Sequence, residues 1–114
     1  MTPQNSLPVL AVAHLRNVTM GPDILEYLER IDATLEPYDG RFLVHGGPVD
    51  CLEGSWTGDL IIIQFPDREK ASAWYASSEY REILPLRARN ADGEVILIET
   101  VPADHRATDI LART

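Results

Sequence analysis

A single cysteine, Cys51, stands in the whole chain, so no internal disulfide can form and a reducing compartment is the simpler setting. Basic residues are also scarce. Ten Lys and Arg face eighteen Asp and Glu, which leaves a formal net charge of -8. Nucleic acids and anionic membrane surfaces are gripped by clustered cations, so neither is an expected partner. No apolar run approaches the roughly 20 residues that cross a bilayer. Residues 1–6 carry no basic start leading into an apolar stretch, so no leader is expected and the chain reads as soluble and cytoplasmic. No Ser-His-Asp, H-E-x-x-H, C-x-x-C or G-x-G-x-x-G pattern is present. Gly46-Gly47 is followed by no Gly-Lys-Ser/Thr, so it reads as a turn, not a phosphate loop. Cys51 has no cationic pattern beside it that would make it a nucleophile.

What is present suits one folded domain: 114 residues, 45% hydrophobic and 25% charged, with no low-complexity run. Residues 1–7 read as a loose arm, 8–101 as the domain, and 102–114 as a polar tail or a short docking helix through Ile110 and Leu111. Residues 9–15 (VLAVAHL) form an apolar run of strand length, with Pro8 at its start, where a missing N–H is tolerated. Gly21-Pro22-Asp23 opens a helix. Ile24, Leu28, Ile31 and Leu35 then recur at i, i+4, i+7 and i+11 as one apolar stripe, stopped by Pro37 and Gly40. Residues 41–45 (RFLVH) are a second strand, with 49–53 as a short extension. Residues 60–65 (LIIIQF) are the most β-branched run and read as a central strand, after which Asp67 caps a helix carrying Ala71, Trp74 and Tyr75. Ser77-Ser78 breaks that helix and caps a further turn or two, and Pro85 predicts a kink or an early end. Asp92-Gly93 turns the chain into a fourth strand over 94–101. The order β-α-β-β-α-β predicts an α+β, ferredoxin-like fold: an antiparallel four-stranded sheet with two helices on one face.

Alternation sorts the strand residues into two unlike faces. One set is apolar: Val9, Ala11, Ala13 and Leu15, with Phe42, Val44, Ile61, Ile63, Phe65, Ile96 and Ile98; it is expected under the helices. The other mixes Leu10, Val12, Leu43, Ile62, Val95 and Leu97 with His14, Arg41, His45, Gln64 and Glu99. Such a face is too apolar for open water, and a second copy of the sheet covers it economically. His14, His45, Gln64 and Glu99 are then expected to line a shared interior.

Several local patterns recur in a fixed order. Gly40-Arg41-Phe42-Leu43 is followed by Gly46-Gly47, then Leu52-Glu53-Gly54-x-Trp56 and Ile63-x-Phe65-Pro66. After these come Ala73-Trp74-Tyr75-x-Ser77-x-Glu79-Tyr80, Leu86-Arg87 and Ala91-Asp92-Gly93. The series resembles the bacterial domain-of-unknown-function family 1330 of the dimeric α/β-barrel superfamily, from about residue 9 to residue 101. The resemblance implies a dimer with two sheets facing each other. It supplies no activity, because that superfamily spans unrelated chemistries and non-catalytic members. Two positions depart from the family pattern: His45 stands where Arg is frequent, and Gly21-Pro22 stands where Asp-Pro is usual.

The expected function is that of a homodimer with a semi-polar pocket for a small organic molecule, working by acid–base or oxygen chemistry. The alternative is a non-catalytic dimer whose polar interior is only a packed interface. His14, His45, Tyr75 and Arg87 are the candidate catalytic residues. A histidine is a natural general base, and an arginine fork holds a carboxylate or enolate. Trp56, Gln64, Tyr80, Glu99 and Arg41 are candidate ligand-binding residues. Trp74, on the helix stripe, reads as core. The trio His14, His45 and Glu99 has adequate donors for Zn²⁺ or Fe²⁺ but no spacing motif, so no metal and no other cofactor is expected. The plainer role for Arg87 is an ion pair with Glu53 or Glu79.

Overall fold

Pro22 sets the first turn of a helix, and the apolar stripe behind it carries that helix on to Leu35. The computed structural model describes residues 7–113, so the expected arm over 1–7 lies outside the described residues except for Leu7. Its elements are β1 (Val9–Arg16), α1 (Pro22–Leu35), a 3-10 turn (Glu36–Tyr38), β2 (Arg41–His45), β3 (Asp59–Phe65), α2 (Arg68–Ala76), α3 (Ser78–Ala88) and β4 (Asp92–Glu99). The four strands form one sheet in the order β2-β3-β1-β4, with antiparallel neighbours throughout. This is the ferredoxin-like fold expected from the element order.

Local chemistry accounts for the helix boundaries. The Asp67 carboxylate accepts from Lys70 N at 2.8 Å and caps α2. The Ser77 hydroxyl closes α2 by donating to Trp74 O at 2.7 Å and opens α3 by accepting from Tyr80 N at 3.2 Å. One serine thus separates two helices. Pro85 neither ends α3 nor stops it early; the helix runs on to Ala88. Residues 49–53 form no strand and belong to the long β2–β3 loop.

The core lies between the sheet and the helices. Phe65 and Ile83 are fully buried, and Trp74 lies between Phe65 and Tyr80 with ring centroids at 5.3 and 4.2 Å. The Trp74 indole N–H donates to Thr34 Oγ1 at 3.0 Å, so its polar edge is satisfied where it is buried. Trp74 is core, as its stripe predicts. Gly40 is needed where the chain swings into β2, since a Cβ there would come within 2.7 Å of the Phe65 ring.

The pairing register corrects the expected sorting of faces in two strands. Val9, Ala11 and Ala13 of β1 stand opposite Phe65, Ile63 and Ile61 on one side and Glu99, Leu97 and Val95 on the other. Directly paired residues share a face, so Val95, Leu97 and Glu99 lie on the helix side. Ile96 and Ile98 lie on the open side, 52% and 48% exposed. In β2 the register shifts between Phe42, opposite Ile63, and Val44, opposite Ile62. This bulge inserts one residue and turns the rest of the strand over. His45 therefore stands opposite Ile61, on the helix side, with its ring stacked on Phe42 at 4.5 Å.

The open face carries Leu10, Val12, Ile62, Ile96 and Ile98, with His14, Arg16, Arg41, Gln64 and Glu94 around them. No helix among the described residues is long and apolar enough to cross a membrane. The segment after β4 ends in a 3-10 stretch (Ala107–Arg113) that carries Ile110 and Leu111, both exposed.

Candidate functional site

Short side chains on the central strand open a space beneath the helices. Ala11 and Ala13 leave a cavity of about 260 Å³ between the sheet and helices α1 and α3. Its walls are largely apolar, with Leu28, Ile31, Phe42, Ile61 and Val95 among them. The polar side chains that reach it are Tyr27 from α1, Tyr80 and Arg87 from α3, His45 from β2 and Asp59 from β3. Its size suits a one-ring organic compound and falls just below the usual small-molecule range of about 300–1,000 Å³.

Arg87 is half-buried at this cavity. It donates to Tyr80 Oη at a long 3.4 Å, and its guanidinium carbon lies 5.9 Å from the Tyr27 ring centre. Neither Glu53 nor Glu79 pairs with it, and among the described residues no carboxylate does. Four other arginines illustrate the ordinary alternative: Arg16, Arg30, Arg68 and Arg89 each hold a glutamate or aspartate at the surface. Burial lowers the Arg87 pKa, but the Tyr80 and Tyr27 hydroxyls raise it more, and the net shift is upward. The group is a permanent cation.

Tyr27 Oη and Tyr80 Oη lie 2.7 Å apart. Their bond uses one hydroxyl proton, and arginine cannot accept the other. Whichever tyrosine donates within the pair, a phenol proton remains for a further acceptor. Burial, and then Tyr80, pushes the Tyr27 pKa well above the ordinary tyrosine range, so the Tyr27 phenol keeps its proton. Arg87 and this pair together make a donor cluster in an apolar enclosure. Such a cluster can hold a carboxylate or an enolate oxygen.

The two strand histidines fall on opposite sides of the sheet. His14, on the open face, has both ring nitrogens engaged: Nε2 lies 2.7 Å from Thr57 O and Nδ1 3.0 Å from Arg16 Nη1. A carbonyl only accepts and a guanidinium only donates, so the proton sits on Nε2. The ring stacks on Trp56 at 4.4 Å, and Arg16 makes a two-pronged contact with Glu94 at 3.0 and 2.7 Å. Gly58, at φ 91°, lets the loop approach this closely, because a Cβ there would collide with Leu15 O. His14 thus clamps the β2–β3 loop, and Trp56 serves that clamp.

The remaining candidates are dispersed. Glu99 stands opposite Val9, at the far end of β1 from His14, and pairs with Arg68 at 3.3 Å. Gln64 and Arg41 face each other across the open side. Tyr75 packs against Trp74 and Tyr80 at 6.0 and 5.6 Å and lies outside the cavity wall. His14, His45 and Glu99 do not converge, and no group of three or more His, Cys, Asp or Glu among the described residues is placed to hold a metal. The structure therefore brings together His45, Tyr80 and Arg87 from the expected set and adds Tyr27 and Asp59. Tyr27 was findable, since it falls between Ile24 and Ile31 on the apolar stripe of α1. Asp59 gives no signal, because it reads as an ordinary loop acid.

The family model for a domain of unknown function (DUF1330) matches residues 8–101. No curated protein matches the chain at a significant level. Among solved structures, the fold is similar to RPA0582 of Rhodopseudomonas palustris, a protein of unknown function, with TM-score 0.65, 17% identity, and 86% of this chain and 85% of that one covered. A dimeric ferredoxin-like protein of unknown function from Jannaschia sp. CCS1 gives TM-score 0.60 at 8% identity, covering 83% and 99%. SnoaB of Streptomyces nogalater, a cofactor-independent oxygenase, gives TM-score 0.59 at 14% identity, covering 89% and 100%. At these identities the likeness is one of fold. The family match spans all four strands and the three helices between them, and the chain belongs to the DUF1330 family.

Proposed function

We propose that this protein is a cytoplasmic homodimer in which each protomer binds a small organic anion in the cavity between its helices and its sheet. The observation that carries this reading is Arg87, a half-buried cation on a largely apolar cavity that forms no ion pair with a carboxylate among the described residues. A buried charge is costly unless something pairs with it, and a ligand carboxylate would complete the pairing. The apolar walls select a ligand whose body is hydrocarbon or a single ring.

The homodimer is supported by the apolar open face and by fold neighbours described as dimeric ferredoxin-like proteins. In this reading the cavity is private to each protomer, since it lies on the side of the sheet away from the partner. The lone Cys51 and the acidic balance fit a reducing compartment and a partner that is neither nucleic acid nor membrane. The oxygenase among the neighbours lends its fold to the argument and nothing of its chemistry.

Phenylacetate and its neutral counterpart 2-phenylethanol test the reading. Trp74 lines the cavity, so binding is expected to change tryptophan fluorescence, in wild type and in a Trp56→Phe background alike. Phenylacetate should bind at least about tenfold more tightly than the alcohol, because a charge-assisted contact contributes roughly 1.5 kcal/mol or more. Equal weak binding of both would contradict an anion site.

A further inference from the structure

Among the described residues, His45 carries no hydrogen bond or ion pair at either ring nitrogen, although its ring is fixed against Phe42 at 4.5 Å. It lines the same cavity as the donor cluster of Arg87, Tyr27 and Tyr80. His14 offers no such lone pair, because its Nδ1 accepts from Arg16. The cavity therefore has an unengaged base in one wall and, in another, a cation with a spare phenol proton. The rest of the lining is largely apolar apart from Asp59. This is the pair of groups needed to take a proton from carbon next to a carbonyl: one accepts the proton and the other holds the charge that arrives on oxygen.

We propose that the cavity enolises small 2-oxo acids, with His45 as the base and the Arg87–Tyr27–Tyr80 cluster as the enolate-stabilising group. The proposal rests on the anion-binding reading above. Arginine's fork takes the carboxylate, and the phenol proton takes the neighbouring 2-oxo oxygen, so two adjacent acceptors on the ligand meet two kinds of donor. The His45 imidazole removes a proton from C3. The C–H electron pair becomes the C2–C3 double bond, and the carbonyl π pair moves onto oxygen as the enolate. The imidazolium then returns a proton to C3, and the ketone is restored with no oxidant or reductant consumed. Asp59 lines the same cavity. His45 is exposed, so its proton exchanges with solvent between turnovers.

The test uses phenylpyruvate in deuterated water, with loss of the C3 methylene signal followed by proton NMR and binding followed by tryptophan fluorescence. Wild-type protein should speed the exchange well above the buffer rate. His45→Gln, at an exposed position, should keep the fold and bind phenylpyruvate within about threefold of wild type. It should lose about a hundredfold of the protein-dependent exchange, the lower end of what a positioned general base contributes. Phenylpyruvate bound by the wild type yet exchanging at the buffer rate would overturn the enolisation, as would His45→Gln exchanging as fast as wild type. Failure of both phenylpyruvate and phenylacetate to bind would overturn the binding reading and the enolisation with it.

Discussion

Arg87→Met should weaken phenylacetate binding by about ten- to a hundredfold, since losing a charge-assisted hydrogen bond removes roughly 1.5–3 kcal/mol. The same change should leave the thermal midpoint unchanged or raise it. Arg87 is half-buried, bonds only loosely to Tyr80 at 3.4 Å, and has no carboxylate partner among the described residues. Folding therefore desolvates a charge that has two tyrosine hydroxyls in place of a carboxylate, and methionine of similar length fills the space without that cost. The two readouts move in opposite senses only if the arginine is kept for a ligand. An arginine that braces α3 would behave differently: its loss would lower the midpoint and leave phenylacetate binding where it was.

Ile96→Lys should turn the proposed homodimer into a monomer at micromolar concentration. Ile96 lies in the middle of the open face, opposite Val12, and is 52% exposed in the single protomer. In a two-fold interface a residue occurs twice, so the substitution acts on both subunits at once. Burying one such side chain contributes roughly 1.5–3 kcal/mol, and two copies correspond to about two to four powers of ten in the dimer dissociation constant. Lysine adds a desolvation cost to that loss. Sedimentation equilibrium reads the change directly. Leu25→Lys is the matched control: Leu25 is exposed on α1, outside the sheet, and its replacement should leave the dimer intact. A dimer that survives Ile96→Lys would mean that the open face is not the interface.

The element order, the α1 stripe, the Asp67 cap and the break at Ser77 were all legible, because each is written in a few neighbouring residues. What the sequence hid was the side of the sheet on which the site lies. In β4 the run Val95-Ile96-Leu97-Ile98 is apolar in both phases, so alternation cannot choose between them. The polar markers at its two ends disagree: Glu94 shares a phase with Ile96 and Ile98, and Glu99 shares one with Val95 and Leu97. In β2 nothing in Arg-Phe-Leu-Val-His announces a bulge, yet the bulge moves His45 from the expected shared interior to the cavity under the helices. Those two strand phases together shift the candidate site from between two subunits to within one. Tyr80 and Arg87 were found in advance because helical spacing and chemical type both mark them. Tyr75 shares their type, but its ring packs outside the cavity.

The placement of the site is best tested by methyl NMR of the dimer during titration with phenylacetate. Ala11, Ala13, Ile61 and Val95 line the cavity, whereas Val12, Ile62 and Ile96 lie on the open face of the same strands. Saturable shifts confined to the first group, and lost in Arg87→Met, are the predicted result. Shifts centred on Val12, Ile62 and Ile96 would put the ligand between the subunits and contradict the account.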